Sequence, residues 1–206
     1  LCLTCGLSAL DFQETKKLAE GGDGIEQLNL GVMYYYGTGV PQDYKEAMKW
    51  FRMSAEQGHA TTQLHLAAMY ATGKGVPQDY KEAVKWYTMS AEQGKAVAQL
   101  NLAAMYATGK GVPQDDKQAV RWYTMSAEQG NANAQLNLGL MHLNGTGVIE
   151  DFITAYAWIS VAKANGLANA VKALDLLREI MSKDQIAEGQ KLAREIFKRT
   201  EANRKD

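Results

Sequence analysis

Cysteine is almost absent from this chain of 206 residues. The only two, Cys2 and Cys5, stand in the first five residues and form a C-x-x-C pair. In another setting that spacing indicates a redox pair or half of a metal site. Here no second C-x-x-C and no nearby histidine accompanies the pair, so we expect neither chemistry. The rest of the chain has no cysteine with which to build a disulfide framework.

An excess of charge of either sign is also missing. The sequence holds 22 Lys and Arg residues against 23 Asp and Glu residues, which gives a formal net charge of −1. Proteins that bind nucleic acid usually carry a basic patch that neutralises phosphates, so nucleic acid is not predicted as a partner. No stretch approaches the roughly 20 apolar residues that a membrane-spanning helix needs. We therefore expect no membrane insertion of the mature chain.

The first ten residues differ in composition from everything that follows. Residues 1–10 are uncharged, apolar and small, which is typical of the end of a secretory signal peptide. On this interpretation residues 1–10 are a signal remnant, and the mature protein is periplasmic or secreted in a bacterium. The alternative is an apolar cap on the first structural unit, in which case the protein is cytoplasmic.

Short stretches resemble catalytic motifs, but the rest of each motif is missing. Ser160 and Lys163 spell S-x-x-K, yet the sequence lacks the S-D-N-like element and the K-T-G strand of penicillin-interacting enzymes. The three histidines, His59, His65 and His142, form no metal-ligand pattern. The sequence therefore predicts no catalytic residue, no metal site and no cofactor.

What the sequence does contain is a repeat. Residues 58–93 return as residues 94–129 with 29 of 36 positions identical, and weaker copies lie on both sides at the same spacing. The four tryptophans follow this period of 36 residues: Trp50, Trp86, Trp122 and Trp158. A fixed period of this size is the signature of a solenoid, in which each unit buries its apolar face against its neighbours.

One repeat predicts two helices joined by a turn. Residues 96–108 carry an apolar stripe at helical spacing, and Gly109 ends that helix. Pro113 keeps the following turn extended. Asp115 then begins a second helix as its N-cap, with Gln118 in place to complete a capping box. Each unit is therefore predicted to consist of a helix A, a seven-residue turn and a helix B.

The same pattern sets the predicted bounds of the whole chain. Helices A are expected at 24–36, 60–72, 96–108 and 132–144, and helices B at 44–57, 80–93, 116–129 and 152–165. The predicted organisation has an N-terminal capping helix at 11–22, four repeats at 23–166 and C-terminal capping helices at 167–206. The four repeats are 23–58, 59–94, 95–130 and 131–166. In the last capping region, Ser182 and Gln185 predict a capping box for a final helix that closes the stack.

These residues resemble the Sel-1-like repeat family, which is related to the tetratricopeptide repeats. The first repeat matches the family pattern through Leu30, Gly31, Tyr34, Gly37, Gly39, Val40, Asp43, Ala47, Trp50 and Gly58. The resemblance implies an all-α fold, a right-handed α/α superhelical solenoid with helices A on its concave face. It also implies a non-catalytic adaptor that binds other proteins. Some cysteine-rich relatives are described as binding or hydrolysing β-lactams, but this chain lacks their helix-bridging cysteine pairs.

A polar row on helices A is the candidate binding site. Asn29, His65, Asn101 and Asn137 share one register, and their expected neighbours in the groove are Leu64, Leu100, Leu136 and Tyr35. An asparagine amide both donates and accepts hydrogen bonds, which matches a peptide bond. In related tetratricopeptide grooves, asparagine at this register holds the backbone of an extended peptide. The sequence thus predicts a protein or extended peptide as the partner of a monomeric adaptor.

Three alternatives stay open. The asparagine row can instead bond within the repeats and bind nothing. The protein can be a β-lactam-interacting hydrolase like the cysteine-rich relatives. It can also be a structural spacer with no ligand in its groove.

Overall fold

The computed structural model describes residues 9–203, and these residues form eleven helices and no strand. The helices are α1 (Ala9–Glu20), α2 (Gly24–Tyr36), α3 (Tyr44–Glu56), α4 (Ala60–Thr72), α5 (Tyr80–Glu92), α6 (Ala96–Thr108), α7 (Asp116–Glu128), α8 (Ala132–Asn144), α9 (Phe152–Ala164), α10 (Ala170–Ile180) and α11 (Lys183–Asn203). Helices A occupy the expected ranges, and helices B end one residue early. The predicted all-α repeat fold is confirmed. Most of the proposed signal remnant, residues 1–8, lies outside the described residues.

The chain divides into two compact units. Unit 1 ends at Lys95 and contains α1 to α5; unit 2 begins at Ala96 and contains α6 to α11. In unit 1 the hairpins α2–α3 and α4–α5 pack on each other through α3 and α4, and α1 covers α2. In unit 2 the hairpins α6–α7 and α8–α9 pack through α7 and α8.

Local sequence explains where each helix begins and ends. At the start of α3, Asp43 Oδ1 accepts hydrogen bonds from the backbone N–H groups of Lys45 and Glu46, at 2.8 and 3.1 Å. Such a cap satisfies donors that have no partner inside the helix. His59 precedes α4 without any side-chain cap bond, since imidazole is a poorer cap than a carboxylate or an amide. Gly37 follows the last residue of α2 and adopts a φ of 72°, a backbone conformation that residues with a Cβ atom disfavour.

A buried ladder of glutamine amides links the helices within each unit. In unit 1, Gln63 is 1% exposed, and its Nε2 donates to the Ala55 carbonyl at 3.2 Å. Its Oε1 accepts from Gln93 Nε2 at 2.7 Å. In unit 2, Gln135 repeats both bonds with the Ala127 carbonyl and Asn165. Each amide therefore ties helix A to the end of the preceding helix B and to the end of its own helix B.

The C-terminal helices complete unit 2. The Ser182 hydroxyl accepts from the Gln185 N–H at 3.2 Å, and the Gln185 side chain accepts from the Ser182 N–H at 2.9 Å, which is the expected capping box. Helix α11 then packs along α9 and also reaches α7. Arg199 of α11 makes a two-pronged ion pair with Glu128, with N···O distances of 2.6 and 2.9 Å. The final helix thus lies against helices B of unit 2.

The repeated tryptophans are core residues. Trp50, Trp86, Trp122 and Trp158 are each only 5–6% exposed. Burying a large aromatic side chain in every repeat is a major source of packing energy. This placement supports the structural role that their 36-residue spacing predicts.

Candidate functional site

The side chains of the candidate row on helices A are at least partly accessible, and some of them also contact neighbouring side chains. In unit 1, Asn29 on α2 is exposed, and its Nδ2 donates to Glu26 Oε2 at 3.2 Å. His65 on α4 is partly buried and stacks on Phe51 of α3, with ring centroids 5.2 Å apart and an angle of 12° between the planes. Burial lowers the pKa of His65, because the charged imidazolium loses hydration there.

The two members of the row in unit 2 are both partly buried. Asn101 lies on α6 and Asn137 on α8. The Asn137 side chain hydrogen-bonds to the Tyr123 side chain on α7. Burial raises the pKa of Tyr123, and the bond from Asn137 opposes that rise. An asparagine amide has two donors and two acceptor positions, so one bond leaves capacity for a ligand.

The leucines beside the row lie partly in the core and partly at the surface. Leu64, Leu100 and Leu136 are all partly buried. Leu136 packs against the apolar cluster that includes Ile159 of α9. Each keeps some accessible apolar surface, and the rest of the side chain is buried in the fold.

Tyr35 belongs to an aromatic cluster in unit 1. Its ring centroid lies 5.2 Å from that of Tyr44 and 6.3 Å from that of Phe51. Lys74 Nζ lies 3.1 Å from the Tyr35 hydroxyl and sits over the rings of Tyr35 and Tyr44, at 5.2 and 5.4 Å from their centroids. The hydrogen bond to Tyr35 and the nearby phenol rings raise the pKa of Lys74. Tyr35 and Lys74 thus both contact the Tyr44 ring, and the exposed Lys74 ammonium lies over this cluster.

In unit 2 the corresponding place is an open cavity of about 270 Å³. It includes Asn137 of the candidate row. The residues that line it come from both helix hairpins of the unit: Ala107, Gln114, Asp116, Tyr123, Asn137, Leu140, Met141, Asn144 and Thr146. Sequence reasoning missed this cavity, because the repeats were compared for what they share. The signal was a difference between copies, since Ala107 and Thr146 stand 72 residues after Tyr35 and Lys74.

The remnants of catalytic motifs do not come together as a site. Ser160 lines a second cavity in unit 2, of about 280 Å³, which also contains Phe197 and the cationic residues Arg194 and Lys198. Lys163, the other residue of the S-x-x-K stretch, is exposed on α9. Within residues 9–203, no group of three or more His, Cys, Asp or Glu side chains is placed to hold a metal ion. None of the helices in that range is both long and apolar enough to cross a bilayer.

Comparison with known proteins identifies the repeat. The family model described as "Sel1 repeat" matches four consecutive segments, residues 27–59, 60–95, 96–131 and 132–167. The first match begins four residues after the expected start, and every other boundary lies one residue after the expected one. The search of curated proteins found no match.

Solved structures agree with the family model. A Sel1 repeat protein from Oxalobacter formigenes is 32% identical, with a TM-score of 0.75, over 90% of this chain and 76% of that one. The protein c5321, a protective antigen of uropathogenic Escherichia coli strains with an SLR fold, is 27% identical, with a TM-score of 0.51, over 96% of this chain and 58% of that one. Cysteine rich protein B from Helicobacter pylori is 20% identical, with a TM-score of 0.52, over 65% of this chain and 96% of that one. The last likeness shows the fold alone.

Proteins built from these repeats are commonly scaffolds for protein–protein interaction and are generally non-catalytic. Four adjoining matches to the repeat model and a relative above 30% identity over most of the chain agree on one assignment. The chain belongs to the Sel1 repeat family.

Proposed function

We propose that this protein is a non-catalytic scaffold that binds another protein, as an extended segment, along its helices A. One observation carries the proposal. A glutamine position and an asparagine position recur on helices A at the repeat period, and their side chains differ in exposure to solvent. The glutamine register is buried and bonded to backbone and side chains, as Gln63 and Gln135 show. The asparagine register, two residues later, stays exposed or partly buried in every repeat.

The fold accounts for the glutamines but gives less reason for the asparagines. Asparagine is a weak helix former because its side chain competes for backbone hydrogen bonds. Its recurrence at an accessible helical position is therefore better explained by a ligand with peptide-like donors and acceptors. The partly buried leucines beside it would contact the apolar side chains of such a segment.

The proposal is tested in unit 2, where two asparagines of the row lie together in one unit. A pull-down from the native extract with mass-spectrometric identification first supplies the partner, and calorimetry then gives the dissociation constant of its binding segment. Replacing both Asn101 and Asn137 by alanine should weaken binding by roughly ten-fold or more, since each neutral hydrogen bond contributes about 0.5–1.5 kcal/mol. Circular dichroism should show unchanged helicity in the double variant.

Tyr123→Phe is the matched control. It removes the internal hydrogen bond of Asn137 while leaving both amides of the row in place. Binding within two-fold of wild type is expected for this variant. Equal losses in Tyr123→Phe and in the double alanine variant would assign the row to internal bonding. A folded double alanine variant with unchanged affinity would move the binding site elsewhere.

Location and oligomeric state belong to the same proposal. The composition of residues 1–10 supports export, so the proposed location is periplasmic or secreted, and the proposed state is a monomer. N-terminal sequencing of protein from its own host should then find a start near residue 10 or 11. An intact Cys2–Cys5 segment in the cytosolic fraction, or a dimer mass by light scattering, would contradict these two points.

A further inference from the structure

The cavity of unit 2 corresponds to a place that unit 1 fills with its own side chains. Tyr35 occupies it in unit 1, between Tyr44 and Phe51, and the Lys74 ammonium lies over the rings of Tyr35 and Tyr44. Both residues lie within hydrogen-bond distance of each other, at 3.1 Å. The place therefore accommodates an aromatic ring and a cation when the sequence supplies them.

Unit 2 lacks both of these side chains, and its cavity wall has a carboxylate but no ammonium group. Ala107 stands where Tyr35 would be, and Thr146 stands where Lys74 would be. Asp116 takes the position of Tyr44 in the cavity wall. Together, the three differences remove two phenol rings and an ammonium group and add a carboxylate. An open cavity of about 270 Å³ remains, which is slightly below the roughly 300–1,000 Å³ of small-molecule sites and suits one long side chain.

We propose that this cavity receives the side chain of an arginine or lysine from the bound polypeptide. Asp116 is the counter-charge. Its Oδ1 accepts from Gln114 Nε2 at 3.2 Å, and among the described residues no Lys or Arg forms an ion pair with it. A cation from the partner would thus take the part that Lys74 plays in unit 1. This inference rests on the proposed function, because the cation belongs to a bound polypeptide.

The rest of the wall suits the same ligand. Arginine and lysine side chains carry only donors, and each of the lining residues Gln114, Asn137, Asn144 and Thr146 has a side-chain oxygen that can accept. Leu140 and Met141 supply apolar surface for the aliphatic stem. The Tyr123 ring, which is 5% exposed, provides an aromatic surface at which a cation is attracted.

The test uses a single amino acid as the probe and so does not depend on the partner. N-acetyl-arginine methylamide is titrated into the ¹⁵N-labelled full chain, and the side-chain amide signals of Asn137 and Asn144 are followed by NMR. The neutral isostere, N-acetyl-citrulline methylamide, is the ligand control. We expect saturable shifts with the arginine probe and a dissociation constant at least ten-fold higher for citrulline.

Three variants locate the binding. Asp116→Asn, which keeps the shape of the side chain, should raise the dissociation constant at least five-fold. Glu179→Gln on the exposed side of α10 should leave it unchanged. Ala107→Tyr combined with Thr146→Lys rebuilds the arrangement of unit 1 and should abolish the shifts. If that double variant fails to fold by circular dichroism, the isosteric Asp116→Asn variant still decides the question.

Equal binding of the arginine and citrulline probes, or unchanged binding in Asp116→Asn, would overturn the inference. Either result would leave the proposed scaffold function standing, because that function is tested with the partner segment and the asparagine row. Conversely, arginine-specific binding in a protein whose asparagine variants bind the partner normally would support the cavity and contradict the role of the row.

Discussion

Replacing Gln63 by methionine removes one buried and one partly buried hydrogen bond while nearly keeping the volume of the side chain. The amide is 1% exposed and joins the Ala55 carbonyl to the Gln93 side chain, at 3.2 and 2.7 Å. After the change, the Ala55 carbonyl loses this buried side-chain donor but keeps the backbone N–H of Gly58, at 3.0 Å. The Gln93 amide lies on an exposed residue and can turn to solvent.

The magnitude follows from this asymmetry. Each neutral hydrogen bond contributes about 0.5–1.5 kcal/mol, and the buried bond to the Ala55 carbonyl is expected to contribute more than the bond to Gln93, which lies near solvent. Methionine recovers part of this loss through its apolar surface. We therefore expect Gln63→Met to lower the free energy of unfolding by about 1–2 kcal/mol. Gln93→Met, which affects the exposed partner, should cost about 1 kcal/mol or less.

Urea unfolding followed by circular dichroism measures both variants and the double variant, with the slope of the transition checked for unchanged cooperativity. The double variant should cost less than the sum of the two single changes, because both remove the same Gln63–Gln93 bond. Should Gln63→Met lie within 0.5 kcal/mol of wild type, or should the changes add without coupling, the ladder would not stabilise the repeats as argued.

Two further predictions concern the core and the pH dependence. Trp86→Ala should lower the free energy of unfolding by roughly 3–5 kcal/mol, because it leaves a cavity in the core of unit 1, whereas Trp86→Phe should cost clearly less, because the buried indole N–H has no hydrogen-bond partner among the described residues. Urea melts that place Trp86→Ala within about 1 kcal/mol of wild type would contradict the packing role. Burial lowers the pKa of His65 below its ordinary value near 6.5, so the unfolded chain binds this proton more readily. The contribution of His65 to the free energy of unfolding is then fully present above about pH 6.5. It is lost as the pH falls toward the lower pKa that His65 has in the folded state. His65→Asn should flatten this decline in melts between pH 7.5 and 5, and identical pH profiles would show that His65 does not contribute to it.

Local signals in the sequence were sufficient to predict the helices. Asp43 and Gly37 mark a helix start and a helix end by side-chain and backbone chemistry that acts over a few residues. The period of 36 residues then extends this information to every copy. Register on one helix also follows from spacing, which is why the row of Asn29, Asn101 and Asn137 could be placed on helices A from the sequence.

Features that depend on contacts between distant residues could not be predicted in the same way. Gln63 recurs at the repeat period, but its burial depends on how α4 packs against α3. The polar surface of α11 indicates an outer helix without showing that it lies along α9 and α7. The cavity depends on a difference between copies, with Ala107 and Thr146 placed together only by the fold. Repetition predicts what the units share, and a binding site can depend on where they differ.

An NMR titration of the ¹⁵N-labelled protein with the partner segment tests most directly whether the partner lies along helices A. It follows the side-chain amide signals and the backbone of every helix. We expect the largest shifts at Asn101, Asn137 and the adjoining residues of α6 and α8, with little change on the exposed side of α7 at Lys117 and Arg121. Shifts confined to the exposed side of α7, with the asparagine amides unchanged, would contradict the account.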